Sequence, residues 1–391
     1  MSAERRVVVA EPENSETPLE NVRSWVTPRQ WFFVRNHFNV PELSREQWRL
    51  RVEGGVDRPA LWSYDELTDL PEQRTVFATV ECAGNGRSFL AQKAAGVQWG
   101  AGAIGHGEWT GVPLHIVLER AGLRPEATEV LFEGADIGSE ADHPAPMHFE
   151  RSLPLDKALH PDTLLATHLN GEPLDPIHGF PLRLFVPGWY GVASVKWLTR
   201  IEVRSEPFRG YFQTVKYTVD RQTGRGTEKV VVGPMAVKSE IIRPRNGEEL
   251  GVGRNRIFGL AWAGEDAVAT VEISLDGGQT WRSVPLGGQR APYSWCSWEY
   301  AWDIDTAGTY QILARATSTR GQVQPAQHDP LNGGYLISFS RPTIVEVKTA
   351  TRVHDDLSDP SVWQYDLEQF AEANAHAPLD IMLDLTAGAG I

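Results

Sequence analysis

Short apolar runs that end abruptly in turn residues set the limits on what this chain can fold into. From Met235 onward, Ile241 to Arg243, Arg256 to Trp262, Val268 to Leu275, Trp281 to Val284, Tyr293 to Trp302, Tyr310 to Thr317 and Tyr335 to Ser340 are rich in β-branched and aromatic residues, with Gly, Pro, Asn and Asp between them. That spacing predicts an all-β sandwich of immunoglobulin-like architecture over residues 233–348, and Asp276-Gly277-Gly278 reads as a hairpin turn within it. Upstream, no long amphipathic helix is legible. Trp31 to Val34, Trp48 to Val56, Val76 to Val80, Val130 to Asp136, Leu182 to Val186 and Val195 to Val203 read as strands, with short helices from Leu61 to Leu70 and from Leu114 to Ala121. Residues 26–232 are therefore expected to form a mixed α+β domain whose long structured loops can grip a large ligand. Residues 1–25 are polar and read as a flexible N-terminal arm. Residues 349–391, with helical spacing from Ser361 to Ala373, read as a C-terminal extension outside both domains.

Charge and cysteine content narrow the function. The formal net charge of −14 argues against nucleic acid or an anionic membrane as partner, and no apolar run approaches the ~20 residues that span a bilayer. Arg5-Arg6 is followed by only four apolar residues, far short of the roughly 7–15 of an export signal. The two cysteines, Cys82 and Cys296, are too few for a disulfide framework, so a cytoplasmic protein is expected. No phosphate-cradling G-x-x-x-x-G-K-[ST] or G-x-G-x-x-G segment follows a strand, and the His and Cys spacings do not match a zinc site. An anionic ligand in so acidic a chain requires a local cluster of cations.

Such a cluster is legible around one cysteine. Val76 to Val80 runs into Glu81-Cys82, and Gly84-Asn85-Gly86 breaks the strand there, which puts the thiol of Cys82 where a buried strand gives way to a tight loop. A thiolate at that place is a nucleophile or a soft-metal ligand. Arg87 follows five residues on. Arg35 and Trp99 are candidates, with Arg87, for an oxyanion pocket, because guanidinium forks match oxyanions and keep their charge. His178, Arg183 and Lys196 gather at neighbouring strand ends and suit a phosphate.

Phe33-Val-Arg-Asn-His37, Cys82-Ala-Gly-Asn-Gly-Arg87, Trp99 with Gly102-Ala-Ile-Gly105, Phe132-Glu-Gly-Ala-Asp136, His178-Gly-Phe-Pro-Leu-Arg183 and Val195-Lys-Trp197 resemble, in order and at compatible spacings, the sulfite oxidase family. Ser274 to Trp281 and Tyr293 to Trp302 are similar to its C-terminal dimerisation domain. The resemblance implies an α+β molybdopterin-binding catalytic domain followed by the immunoglobulin-like sandwich, and a molybdenum cofactor (Mo-molybdopterin) whose metal takes its thiolate ligand from Cys82. It implies that Asn36, His37, Asp136, His178, Arg183, Ser194 and Lys196 hold the pterin and its phosphate, and that Arg35, Arg87, Trp99 and Tyr217 line the substrate pocket. The implied activity is oxidation of sulfite to sulfate by oxygen-atom transfer, in a homodimer that passes electrons to an external acceptor. No haem domain and no Cys-x-x-Cys-His segment is found, so no haem is expected in this chain. Animal members place a further arginine in the segment matching Ser294 to Trp302; Cys296 and Ser297 stand there instead, so a less positive pocket is expected. Two other functions stay open: a reductase of nitrate or an S-oxide on the same cofactor, and a cofactor-free interaction scaffold.

Overall fold

The computed structural model describes residues 4–22, 24–287 and 291–349. The proposed C-terminal extension lies outside them from residue 350 onward. The chain opens on a hairpin, β1 (Arg6–Val9) and β2 (Asn14–Glu16). The N-terminal residues are thus folded rather than a loose arm, because Asn14, Ser15, Glu16, Thr17, Leu19 and Val22 are all buried and Ser15 exchanges backbone hydrogen bonds with Val34. The expected strand from Trp31 to Val34 is instead a tight 3-10 turn, Arg29–Trp31, followed by extended chain that pairs only at Val34.

In chain order there follow β3 (Arg49–Gly54), β4 (Ala60–Ser63), α1 (Tyr64–Thr68), β5 (Arg74–Glu81), β6 (Ile104–Pro113) and α2 (Leu114–Ala121). The long hairpin β7 (Glu129–Glu140) and β8 (His143–Pro154) leads to α3 (Leu155–Ala158), β9 (Leu164–Leu169), β10 (Glu172–Pro173), β11 (Arg183–Phe185) and β12 (Leu198–Arg204). A hairpin of β13 (Thr218–Thr223) and β14 (Gly226–Val231) closes the first half. The helix expected from Leu61 to Leu70 is confined to Tyr64–Thr68, because Leu61 to Ser63 pair as β4, and each helix has one recognisable end signal. Ser63 and Glu66 form a reciprocal capping box at the start of α1, and α2 stops at Gly122, whose φ of 75° suits a residue without a Cβ.

Two sheets organise this half. One runs β4-β3-β12-β7-β8, with β3 and β12 parallel, Arg51 opposite Arg200. The other runs β10-β9-β6-β5, with β11 also on β9. Alternation in β3 sends Leu50 and Val52 inward, where they meet Val130, Phe132, Leu198 and Ile201 and the buried stripe of α2, Leu114, Val117 and Leu118. Each such side chain contributes about 1.5–3 kcal/mol through burial.

The second half is the expected sandwich. Its strands are β15 (Lys238–Arg243), β16 (Glu249–Gly251), β17 (Gly253–Trp262), β18 (Val268–Ser274), β19 (Arg282–Val284), β20 (Leu286–Gly287), β21 (Cys296–Ile304), β22 (Gly308–Ser318) and β23 (Thr343–Lys348). They pair as β15-β17-β21-β20 and β16-β23-β22-β18-β19, and Ile257, Val271, Ile273, Trp298 and Ile312 fill the space between. Asp276-Gly277-Gly278 does turn β18 into β19, with Asp276 accepting from the backbone of Gln279 and Thr280.

The halves are bolted together. The Trp25 and Trp295 indoles each donate to the other's backbone carbonyl, at 3.2 and 2.8 Å. Lys157 and the Trp189 indole both reach Glu265, at 2.5 and 3.0 Å. The run from Tyr335 to Ser340, expected as a strand, is a strap. It crosses to the first half, where the Leu336 N–H donates to the Ala83 carbonyl (2.9 Å). Its β-forming composition is overridden by that docking. Among the described residues, no helix is long and apolar enough to cross a membrane.

Candidate cofactor and substrate site

Cys82 directly follows β5, and its N–H continues the ladder by donating to Ala103 (2.8 Å) before the glycines turn the chain. It faces a cavity enclosing about 720 Å³ of empty space, its open mouth included. Arg35, Asn36, His37, Asp136, His178, Arg183, Ser194, Lys196 and Tyr217 also line it. The structure therefore brings together the sequence-nominated residues from six separate stretches of chain.

Arg87 and Trp99 are the exceptions. Neither lines the cavity. The Arg87 guanidinium is spent on backbone carbonyls, with Nε and one terminal nitrogen on Gly334 at 3.0 and 2.8 Å and the other on Val97 at 2.8 Å. It fits there because Gly84 and Gly96 leave no Cβ in its path. Trp99 is fully buried in the cluster under the cysteine loop. The segment from Ser294 to Trp302 does not reach the cavity either: Cys296 and Trp298 lie in the sandwich core. What the sandwich half places beside Tyr217 is the strap.

One wall carries Arg35, His37 and Tyr217. The Tyr217 hydroxyl is 2.6 Å from His37 Nε2 and 3.5 Å from an Arg35 terminal nitrogen. Burial, with Arg35 and Lys196 nearby, holds the His37 pKa well below its ordinary value, so the ring is neutral. A neutral ring accepting the Tyr217 proton leaves the phenol oxygen free to accept from Arg35. Burial raises the Tyr217 hydroxyl, against the pull of Arg35. Burial lowers Arg35, but Tyr217, Cys82 and Glu140 together outweigh it, so it stays charged.

The opposite wall is polar and only partly satisfied. Lys196 donates to Asn36 Oδ1 and to the Ile177 carbonyl (3.0 Å), and Arg183 donates to the carbonyls of His178 and Ser194 at 3.1 and 3.2 Å. Among the described residues, Asn36 Nδ2, Asp136 Oδ1, His178 Nε2 and Arg183 Nε are buried there without a hydrogen-bond partner. Burial lowers Lys196 and pushes Arg183 down to about 9, while it raises Asp136. Orphaned buried groups are costly and uncommon. Four of them facing one cavity, among buried cations that outnumber carboxylates, fit an anionic organic ligand with its own donors and acceptors. Among the described residues no group of three or more His, Cys, Asp or Glu is arranged to hold a metal, so a metal bound by Cys82 would take its remaining ligands from outside the protein. The donor set thus fits a molybdopterin-type cofactor.

Two supporting residues have no signature in the sequence. Asn14, from the N-terminal hairpin, accepts from the Asn36 N–H (3.1 Å) and from Arg35 (3.2 Å). Arg151 is buried and donates to the carbonyls of Phe212 and Val232, the latter at 3.0 Å, bracketing Tyr217. Tyr217 has a φ of 55°, and its N–H donates to the Tyr335 hydroxyl of the strap (3.3 Å).

Residues 37–212 match the oxidoreductase molybdopterin binding domain, and residues 229–332 match the Mo-co oxidoreductase dimerisation domain. Sulfite oxidase from Gallus gallus is 34% identical over 349 residues, 83% of this chain and 74% of that protein. Mitochondrial sulfite oxidase from Homo sapiens is 36% identical over 340 residues, and the Drosophila melanogaster enzyme 34% over 342. The chain spans 61% and 58% of the lengths of those two. An NADH nitrate reductase from Solanum lycopersicum is 30% identical over 38% of its length. Among solved structures, the sulfane dehydrogenase SoxCD from Paracoccus pantotrophus is similar at a TM-score of 0.75 and 30% identity, covering 89% of this chain and 91% of that one.

Proposed function

This chain belongs to the sulfite oxidase family of molybdopterin-binding oxidoreductases, and we propose that it oxidises sulfite to sulfate and passes the electrons to an external acceptor. The observation that carries the reading is the set of unpartnered buried polar atoms facing the same cavity as Cys82. In this reading Cys82 gives the metal its protein thiolate. Asn36, His37, Asp136, His178, Arg183, Ser194 and Lys196 hold the organic part, with Arg183 and Lys196 as the cations suited to its phosphate. When bound, that cofactor supplies oxygen-atom transfer and storage of two electrons.

The chain's own residues do the rest. Arg35 keeps a fixed positive charge at the cavity wall and orients an incoming oxyanion. Tyr217, hydrogen-bonded to neutral His37, offers an oxygen whose direction is set before substrate arrives. The chain is further proposed to work as a homodimer through the sandwich half and, with only two cysteines, in the cytoplasm.

A second reading, oxidation of a sulfane sulfur, draws support from Arg87. With its donors on Gly334 and Val97, Arg35 is the arginine left on the substrate side, which is little charge for a free dianion. Nitrate reduction rests on the plant relatives.

Purified protein from a host that makes the cofactor is expected to contain about one molybdenum per chain and to reduce an artificial acceptor with sulfite, and Cys82→Ser to lose both. Bound molybdenum with turnover of thiosulfate or a persulfide but not sulfite would move the substrate to the second reading. A metal-free wild type from that host would remove the enzyme reading altogether.

A further inference from the structure

Resting on Cys82 as the metal's thiolate ligand, we propose that the sandwich half sets the position of that sulfur through a buried carboxylate, Glu81, which makes Glu81 and Lys238 positioning residues for the site. Glu81 precedes the cysteine, and both Glu81 and Lys238 are buried. One Glu81 oxygen accepts from Lys238 Nζ (3.2 Å) and from Asn85 Nδ2 (3.0 Å), and the other accepts from the Trp262 indole (2.9 Å). Lys238 and Trp262 belong to β15 and β17 of the sandwich, whereas Asn85 belongs to the cysteine loop.

Asn85 closes a ring around the cysteine. The Cys82 N–H donates to the Ala103 carbonyl (2.8 Å), the Ala103 N–H to Asn85 Oδ1 (3.0 Å), and the Asn85 N–H to the Cys82 carbonyl (2.9 Å). Both peptide groups of Cys82 are thereby tied, and the ring's remaining amide nitrogen is anchored on Glu81. The direction of the Cys82 Cα–Cβ bond is set by groups in the other half of the molecule.

Stability alone does not call for this pair. A buried ion pair roughly balances its desolvation cost and is often replaceable by apolar residues. The halves also have other fastenings, Trp25 with Trp295 and Lys157 with Glu265. What distinguishes Glu81 is directional bonding one residue from the ligating sulfur, where a misplacement of about 1 Å costs catalysis heavily.

Lys238→Met tests this against Lys157→Met, which breaks a clamp at the same interface away from the cysteine loop. In full-length protein made without cofactor, alkylation of Cys82 by iodoacetamide, followed on its peptide by mass spectrometry, is expected to be about tenfold faster in Lys238→Met than in wild type and unchanged in Lys157→Met. In molybdenum-loaded protein, the Mo(V) electron paramagnetic resonance spectrum shifts and kcat falls at constant KM in Lys238→Met only. Wild-type labelling and an unshifted spectrum in Lys238→Met would overturn the proposal, as would equal acceleration in both variants. Should Lys238→Met not fold, Glu81→Gln combined with Lys238→Met buries no unpaired charge and is read the same way. Loss of the ligand reading shows separately, as a wild type without molybdenum, while the labelling comparison still judges the clamp.

Discussion

Arg35 is the residue on which substrate charge falls most directly. Replacing it by Lys keeps the charge but loses the planar fork that reaches Tyr217, Asn14 and the Asn36 carbonyl. Steady-state kinetics are expected to show kcat/KM lower by roughly 10–100-fold, mostly through KM if Arg35 only binds and through kcat if it stabilises developing charge. A second residue-scale prediction concerns His106, fully buried between Trp25 and Trp295, whose pKa burial pushes down to about 3. Its folded value lies below the unfolded one, so its contribution is complete above about pH 6.5. As pH falls toward 3 the unfolded chain takes up the proton first, and stability is lost at up to about 1.4 kcal/mol per pH unit. Urea unfolding of wild type and His106→Phe from pH 7 to 5 is expected to give a slope shallower by one proton in the variant. At this scale the sequence was informative about placement: Cys82, Arg183 and Lys196, nominated by residue type, line the cavity. Asn14 and Arg151 were not, because a polar residue in a polar stretch and an arginine in a strand declare nothing until distant chain surrounds them.

Elements that look secondary hold the active ones in place. The π-helical turn Tyr211–Val215 and the β13-β14 hairpin are joined through Arg151, and the left-handed Tyr217 sits between them. Arg151→Met leaves two buried carbonyls without their donor, a loss of about 2–5 kcal/mol read by chemical denaturation. The strap gives a finer probe. Tyr335→Phe removes only the acceptor for the Tyr217 N–H, so kcat is expected to fall several-fold while stability drops by about 1 kcal/mol. The short helices and the sandwich strands could be read in advance, since caps, glycines and hairpin turns act locally. The strap could not: Tyr-Leu-Ile-Ser-Phe-Ser has the composition of a strand, and its docking decides otherwise, through the Leu336 N–H on Ala83 and the Tyr335 ring under the Arg87 guanidinium.

At the scale of the whole molecule, the formal net charge is −14 while the cavity is lined by Arg35, Arg183 and Lys196 against Asp136. Light scattering after gel filtration is expected to give twice the 43.5 kDa of one chain, and a single-chain mass at micromolar concentration would refute dimerisation through the sandwich. The parallel pairing of Arg51 with Arg200 has a consequence in time. A sheet whose centre joins β3 to β12 cannot close while the ribosome is still making the intervening chain, and non-local pairings of this kind fold slowly. The cysteine loop waits longer still, for Lys238 and Trp262 and then for the strap. The pocket is therefore among the last things the nascent protein builds, and a chain released short of the strap presents an unfinished one.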